Sequence, residues 1–245
     1  KTAELEDRAV YDMHRDRLRA KTADMMQSGE YHTLNDGDWR YFNHSDEKVH
    51  STRDRIYISA KSFGDSAAVI GYWDQALKTA GIGHDLMYKV SVHPVRLDTI
   101  VAYPSADTDP DKLRQALEMF HATCPEDLLN ADGVPTGTTL ATGIAYGPEY
   151  ADHSSVSRLI HDEKTSFGVE VTSLTQLAMK LAYTHMRERR AANGDTSVLR
   201  FKRSELVGET KRFLRDLLIC AGINPQTMVP FDRGGQVPEW ARPIK

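Results

Sequence analysis

The stretch LMYKVSVHPVRLDTIVAYPS, residues 86–105, decides how this chain folds. Alternation divides it into two β-strands about Pro94. In the first, Leu86, Tyr88, Val90 and Val92 share one parity, and Lys89, Ser91 and His93 the other. In the second, Val95, Leu97, Thr99, Val101 and Tyr103 share a face opposite Arg96 and Asp98. Two readings of the charged parity are open. An antiparallel pair with one face in water explains it with no function attached. Alternatively, Lys89, Arg96, Arg55 and Tyr57 surround one concave site. Basic side chains fixed on neighbouring strands receive an anion, and arginine binds phosphate through two parallel hydrogen bonds. A lysine held among cations, or partly desolvated, loses proton affinity and serves as a base near neutral pH. Such a grouping suits a phosphorylated substrate, and equally an acidic peptide.

Upstream, DRIYISAK (54–61) alternates in the same way, with Ile56, Ile58 and Ala60 against Arg55, Tyr57, Ser59 and Lys61. Residues 31–51 are rich in Asn, Asp and aromatic side chains and read as an ordered connector or short edge strands. Before them, the spacing of Val10, Met13, Leu18 and Met25 predicts a helix stopped by Gly29. A second helix follows Gly64, with Asp65 as N-cap and Gly81 just past its end. GIGHD at 81–85 is too short and wrongly placed for a nucleotide loop, and reads as that helix stop.

Downstream, DPDKLRQALEMFHA (109–122) has the signature of a capped helix: Asp109 caps, Pro110 takes the first position, and Leu113, Leu117 and Phe120 share a face. Residues 130–170 read as strands and loops. Two more helices follow, one with Leu174, Leu177, Ala178 and Leu181 on a stripe, one capped by Ser204 and stopped by Gly222. The tail from 231 reads as extended and partly mobile. Helices alternating irregularly with short strands give the α+β class, with mixed or antiparallel short strands flanked by helices. A single domain is expected over 1–245, with an N-terminal helix and connector at 1–52, a core at about 53–230 and a tail at 231–245.

Composition narrows the function classes. The chain has 245 residues, 40% hydrophobic and 27% charged, and a net charge of −4. That balance offers no global attraction to nucleic acid or to an anionic membrane, and neither is expected as a partner. RERR at 187–190 lies where cations suit a helix C-terminus, which outweighs reading it as a nucleic-acid patch. No apolar run approaches the roughly 18 residues of a membrane span. Cys124 and Cys220 lie outside any CxxC, and a reducing compartment is expected. The 10 histidines show no ligand spacing, so no metal and no cofactor are expected. The sequence opens at Lys1 without a Met, and reads as a fragment whose targeting segment is absent.

The order YKV…P…R-D…VAY, then GVPTGTTLATGIAYGPE, then KTSFG, resembles the HopA (HopPsyA-like) family of type III secreted effectors from plant-pathogenic bacteria. The residues carrying it are Lys89, Arg96, Asp98, Tyr103, Gly143, Pro148 and Ser166-Phe167-Gly168, and the likeness runs from about Arg53 to Lys180. It implies secretion into the host cell cytoplasm, aided by a chaperone that binds the missing N-terminal segment. It further implies engagement of a host plant immune or signalling protein and a hypersensitive response.

That family resembles phosphothreonine lyases in fold. In those enzymes a strand reads Asp-Lys-Phe-His-Ile-Ser, and here Asp54-Arg55-Ile56-Tyr57-Ile58-Ser59 matches it. The resemblance implies Arg55 as a phosphate contact, Tyr57 in the place of the general-acid histidine, Lys89 as the base and Arg96 as a second phosphate ligand. His93 is an alternative proton donor. A tyrosine holds its proton at neutral pH and can donate it, although a neutral phenol is a weaker acid than imidazolium. Asp98 orients Arg96 or Lys89, or forms a plain ion pair. Ser166 and Gly168 offer backbone N–H groups to an anion, or form a turn under a buried Phe. Arg158 and Lys164 flank that loop and read as surface. Enzyme activity stays open between a binding module and a lyase acting on phosphoserine or phosphothreonine.

Overall fold

The computed structural model describes residues 2–43, 54–93, 98–131, 137–148, 167–194, 201–226 and 237–244. Within them the opening stretch folds as the antiparallel pair that its alternation predicts. Strands β4 (Met87–Ser91) and β5 (Ile100–Tyr103) set Lys89 opposite Val101 and Tyr88 opposite Ala102. The turn between them, with Pro94 and Arg96, lies outside the described residues.

Five further strands join this pair: β1 (Thr33–Asp36), β2 (Trp39–Phe42), β3 (Asp54–Ile58), β6 (Thr138–Ala141) and β7 (Ile144–Pro148). The seven described strands form one sheet in the order β1-β2-β4-β5-β3-β7-β6, and every pair whose register is described is antiparallel. The short edge strands anticipated at 31–51 are β1 and β2, joined through Gly37 at φ +51°. Past β2, Asn43 donates through Nδ2 to the carbonyls of Gly83 and Leu86, tying this hairpin to the turn that leads into β4.

The even-numbered face of the central strands packs on helices. These are α1 (Thr2–Gln27), α2 (Ser66–Ala80) and α3 (Pro110–Thr123). Tyr88 of β4 stacks on Phe42 of β2 at 4.8 Å and meets Trp73 of α2 edge-on at 6.5 Å; Trp73 in turn meets Phe120 of α3 at 5.8 Å. All four are fully buried. Each such side chain contributes about 1.5–3 kcal/mol on leaving water, which makes this the main core of the sheet.

The helix signals are not equally accurate. Asp109 caps α3 as its sequence predicts, its Oδ1 accepting from the amides of Asp111 (3.0 Å) and Lys112 (3.2 Å). Asp65 does not cap α2. Its backbone is already helical (φ −83°, ψ −17°), and its carboxylate accepts from Ser62 Oγ at 2.6 Å instead. In α1 the buried face is Leu18, Thr22 and Met25, while Val10 and Met13 are exposed. Gly143, at φ +67°, turns β6 into β7, and a Cβ there would stand 2.8 Å from Leu129 Cβ.

Val237–Ile244, inside the tail expected to be extended and partly mobile, is bonded to the rest of the first unit. A 3₁₀ turn (Glu239–Ala241) sets Trp240 edge-on against Tyr146 at 5.5 Å, and the Ile244 amide donates to Leu140 of the edge strand β6 at 2.7 Å. The physical reason is Arg114 on α3, whose guanidinium donates to the carbonyls of Trp240 (3.5 Å), Arg242 and Pro243 (3.3 Å).

Contacts gather the chain into two compact units, 1–147 with 237–245, and 148–236. The second unit pairs α4 (Phe167–Ala192) with α5 (Arg203–Cys220) through Val171, Leu174, Leu218, Ala221 and Ile223. The buried stripe of α4 continues through Ala178, Ala182 and Met186, and Leu181 falls outside it, exposed. Ser204 sits inside α5, not at its cap, which is Lys202. At the end of α4, the RERR segment places Arg190 3.3 Å from Glu205 and 4.6 Å from the Phe201 ring centre. The molecule is α+β, an antiparallel sheet flanked by helices.

Candidate functional site

The odd-numbered face of the sheet gathers three of the anticipated site residues. Directly opposed residues in a sheet share a face. Tyr41 lies opposite Lys89, Lys89 opposite Val101, and Val101 opposite Tyr57. Steps of two along the strands add Trp39, Met87, Tyr103 and Arg55. Neither parity of these strands is a plain solvated face. Tyr57, Met87, Val101, Tyr103 and Ala145 form a buried cluster, with Trp39 packed against it.

Within this apolar setting the two cations are held by rings. Lys89 Nζ lies 4.1 Å from the centre of Trp39, and 5.6 Å from those of both Tyr41 and Tyr103. The guanidinium carbon of Arg55 lies 5.3 Å from the Tyr103 centre. Since both charges lean on Tyr103, they stand within about 11 Å of one another. Each contact of this kind contributes about 0.5–1 kcal/mol in water and more when desolvated. The attraction is between the ammonium charge and the electron-rich faces of the rings.

Tyr57 is positioned by a close approach. Its ring lies over Gly147 of β7, where an added Cβ would meet Tyr57 Cε2 at 2.6 Å. Only a residue without a side chain permits that contact, so Gly147 sets where the Tyr57 ring lies.

The other anticipated residues are placed as follows. His93 is half-buried just past β4, its amide donating to Ser91 Oγ at 3.1 Å. Asp98 is half-buried in the segment entering β5. Arg96 and Ser166 lie outside the described residues, as do Arg158 and Lys164. Gly168 lies in the first described turn of α4, in the second unit.

Sequence reasoning missed the rings that hold Lys89. Trp39 and Tyr41 fell in a segment read as an ordered connector or short edge strands, and nothing in it showed that β2 would lie beside β4. It missed Gly147 as well. Among the described residues no three His, Cys, Asp or Glu side chains are grouped to hold a metal ion, and no helix is long and apolar enough to cross a membrane.

No protein-family model matches the chain, and no curated protein matches it. Among solved structures, the chain is similar to the effector protein from Pseudomonas syringae pv. syringae strain 61. Identity is 10%, the match covers 91% of this chain and 81% of that one, and the TM-score is 0.48. It is also similar to the effector protein from Pseudomonas syringae pv. tomato strain DC3000, at 14% identity over 78% of this chain and 62% of that chain, with a TM-score of 0.38. Both likenesses concern the course of the chain and leave its site to be read from its own residues.

Proposed function

We propose that this chain is a type III secreted effector of the HopA kind. It is delivered into the plant cell cytoplasm with the help of a chaperone. There it binds a phosphorylated or acidic segment of a host immune or signalling protein, without turnover, and elicits a hypersensitive response. The effector half of this reading is supported by the motif order around Lys89, Gly143 and Gly168. The binding half is carried by one observation, the Lys89 ammonium enclosed by Trp39, Tyr41 and Tyr103. A cation fixed on a strand serves as an anion receptor, and Tyr57 in the place of the histidine leaves a weaker acid for turnover.

The test is incubation of the protein with a panel of phosphothreonine, phosphoserine and acidic peptides, followed by calorimetry and mass spectrometry. The expected result is saturable binding that weakens in Lys89→Ala and Arg55→Ala, with every peptide mass unchanged. Irreversible loss of phosphoric acid from any peptide overturns the binding-only reading. Failure of all peptides to bind overturns the anion receptor itself.

The lyase reading is favoured by a separate observation: Arg55 and Tyr57 of β3 and Lys89 of β4 stand on one face of the sheet, with β5 between the two strands. In that reaction the Lys89 amine takes the Cα proton and the released electron pair forms the Cα=Cβ bond. The Cβ–O bond breaks, and phosphate leaves protonated by Tyr57 or His93 while Arg55 holds its oxygens.

A further inference from the structure

Arg55 is the second residue of β3, which lies between β5 and β7 in the sheet. The described register between β3 and β5 runs from Ile56 opposite Ala102, one residue further along. A side chain at that position is no better placed than the backbone beneath it. One side-chain link to that backbone lies on the opposite face of the sheet. The Asp54 carboxylate accepts a hydrogen bond from the Tyr146 hydroxyl at 2.6 Å. Tyr146 is fully buried, and its ring is met edge-on by Trp240 at 5.5 Å, with an interplanar angle of 82°.

Trp240 in turn belongs to the C-terminal strap, and the strap is pinned at two points. Arg114 of α3 donates to three of its carbonyls, and its Nε is aligned by Glu118 Oε1 at 2.6 Å. At the far end the Ile244 amide bonds the β6 edge through Leu140. Most of these links are directional, and all lie in the first unit. One arginine thus donates to three backbone carbonyls of the same short segment. It fixes the depth and angle of Trp240, and through Tyr146 the place of Asp54.

We propose that the strap Val237–Ile244, anchored by Arg114, is the positioning element of the anion site. It acts through Trp240, Tyr146 and Asp54 to hold Arg55 over Tyr103. Trp240 and Tyr146 are thus positioning residues that never meet the ligand, since Tyr146 presents the opposite face from Arg55. The inference rests on the anion-receptor reading for its purpose, and its geometry can be checked without any ligand.

The experiment uses the full chain and four variants: Trp240→Ala, Trp240→Phe, Tyr146→Phe and Arg55→Ala. The ligand-free readout is the Arg55 Nε–H resonance, which the nearby Tyr103 ring displaces and which Arg55→Ala removes. Trp240→Ala and Tyr146→Phe are expected to move or broaden that signal, and Trp240→Phe, which keeps an aromatic edge, to leave it near its original position. Tyr146→Phe loses one oxygen and keeps the packing, so it reports even if Trp240→Ala does not fold. With a phosphothreonine peptide, Tyr146→Phe is expected to bind about five- to tenfold more weakly, the range for one lost hydrogen bond. The same change in an Arg55→Ala background is expected to cost nothing further. An unmoved Arg55 resonance in Tyr146→Phe overturns the proposal, and so does an affinity loss undiminished without Arg55. If the resonance moves while no phosphopeptide binds the native chain, the positioning stands and the anion-receptor reading falls.

Discussion

At Gly147 the candidate site depends on a missing atom. An alanine there would place its Cβ 2.6 Å from Tyr57 Cε2, and β7 and Tyr57 cannot both keep their places. Overpacking of that kind costs about 1–3 kcal/mol, and Gly147→Ala is expected to lose stability in that range by urea denaturation. An unchanged midpoint would show that the Tyr57 ring has room to move. Lys89 gives the complementary case. Methionine fills nearly the same volume among Trp39, Tyr41 and Tyr103, and carries no charge. Lys89→Met should keep stability within about 1.5 kcal/mol and weaken a phosphothreonine peptide by roughly tenfold or more, the scale of a charged hydrogen bond. Lys89→Arg should recover much of that affinity; a Lys89→Met protein that binds as well as the native chain removes Lys89 from the receptor. The charges themselves were legible in the sequence, because parity alone put Arg55 with Tyr57 and singled out Lys89. The rings were not, because a hairpin remote in sequence brings them over Lys89, and alternation carries no information about which strand lies next to which.

Among the elements, α3 and α2 show what a capping signal is worth. Both begin after an aspartate. Only Asp109 stands in extended backbone (φ −62°, ψ 114°), which lets its carboxylate reach back to the helix amides. Asp65 is preceded by a turn through Phe63 and Gly64 that has already brought the chain into helical conformation, and its carboxylate takes Ser62 instead. Asp109→Ala is therefore expected to cost about 1 kcal/mol, and Asp65→Ala no more than about 0.5 kcal/mol. Equal losses in paired thermal melts would refute the distinction. The same limit explains α1. Its apolar residues fit more than one helical phase, and the winning phase was chosen by what it meets: Tyr11 stacks on Phe63 at 5.7 Å, and Leu18 and Met25 are buried. The contacts of the tail were hidden for a related reason. Its fixing group is Arg114, on a helix whose own sequence gives no hint of the strap.

On the scale of the whole molecule, the α+β class followed from short alternating runs between helix signatures, while the strand order did not. β3 is inserted between β5 and β7, and nothing in local pattern encodes such a crossover. The core also sets a pH limit. Burial pushes the Tyr31 phenol above its ordinary value of 10.0, helped by its bond to Asp74, and burial likewise raises Tyr88. Burial pushes the Cys124 thiol from 9.0 up to about 11. For all three, the folded chain holds its proton more tightly than the unfolded chain. As pH rises the unfolded state ionises first, so stability is full below about pH 9 and declines as pH climbs from about 9 through 11. Urea midpoints measured from pH 7 to 11.5 should be level at first and then fall, with Cys124→Ala shallower at the onset. A midpoint that rises with alkali would contradict the burial of these groups.

Tyr103 stands between Arg55 and Lys89, and that sharing has a cost in evolvability. One aromatic ring damps the repulsion of two like charges. Any exchange of it for an aliphatic residue would take a ring contact from both in a single mutational step, whereas phenylalanine would keep the electron-rich face that both meet. Deleting either cation hands its neighbour a larger share of that face. The penalties of the two single deletions therefore cannot be summed to give that of the pair.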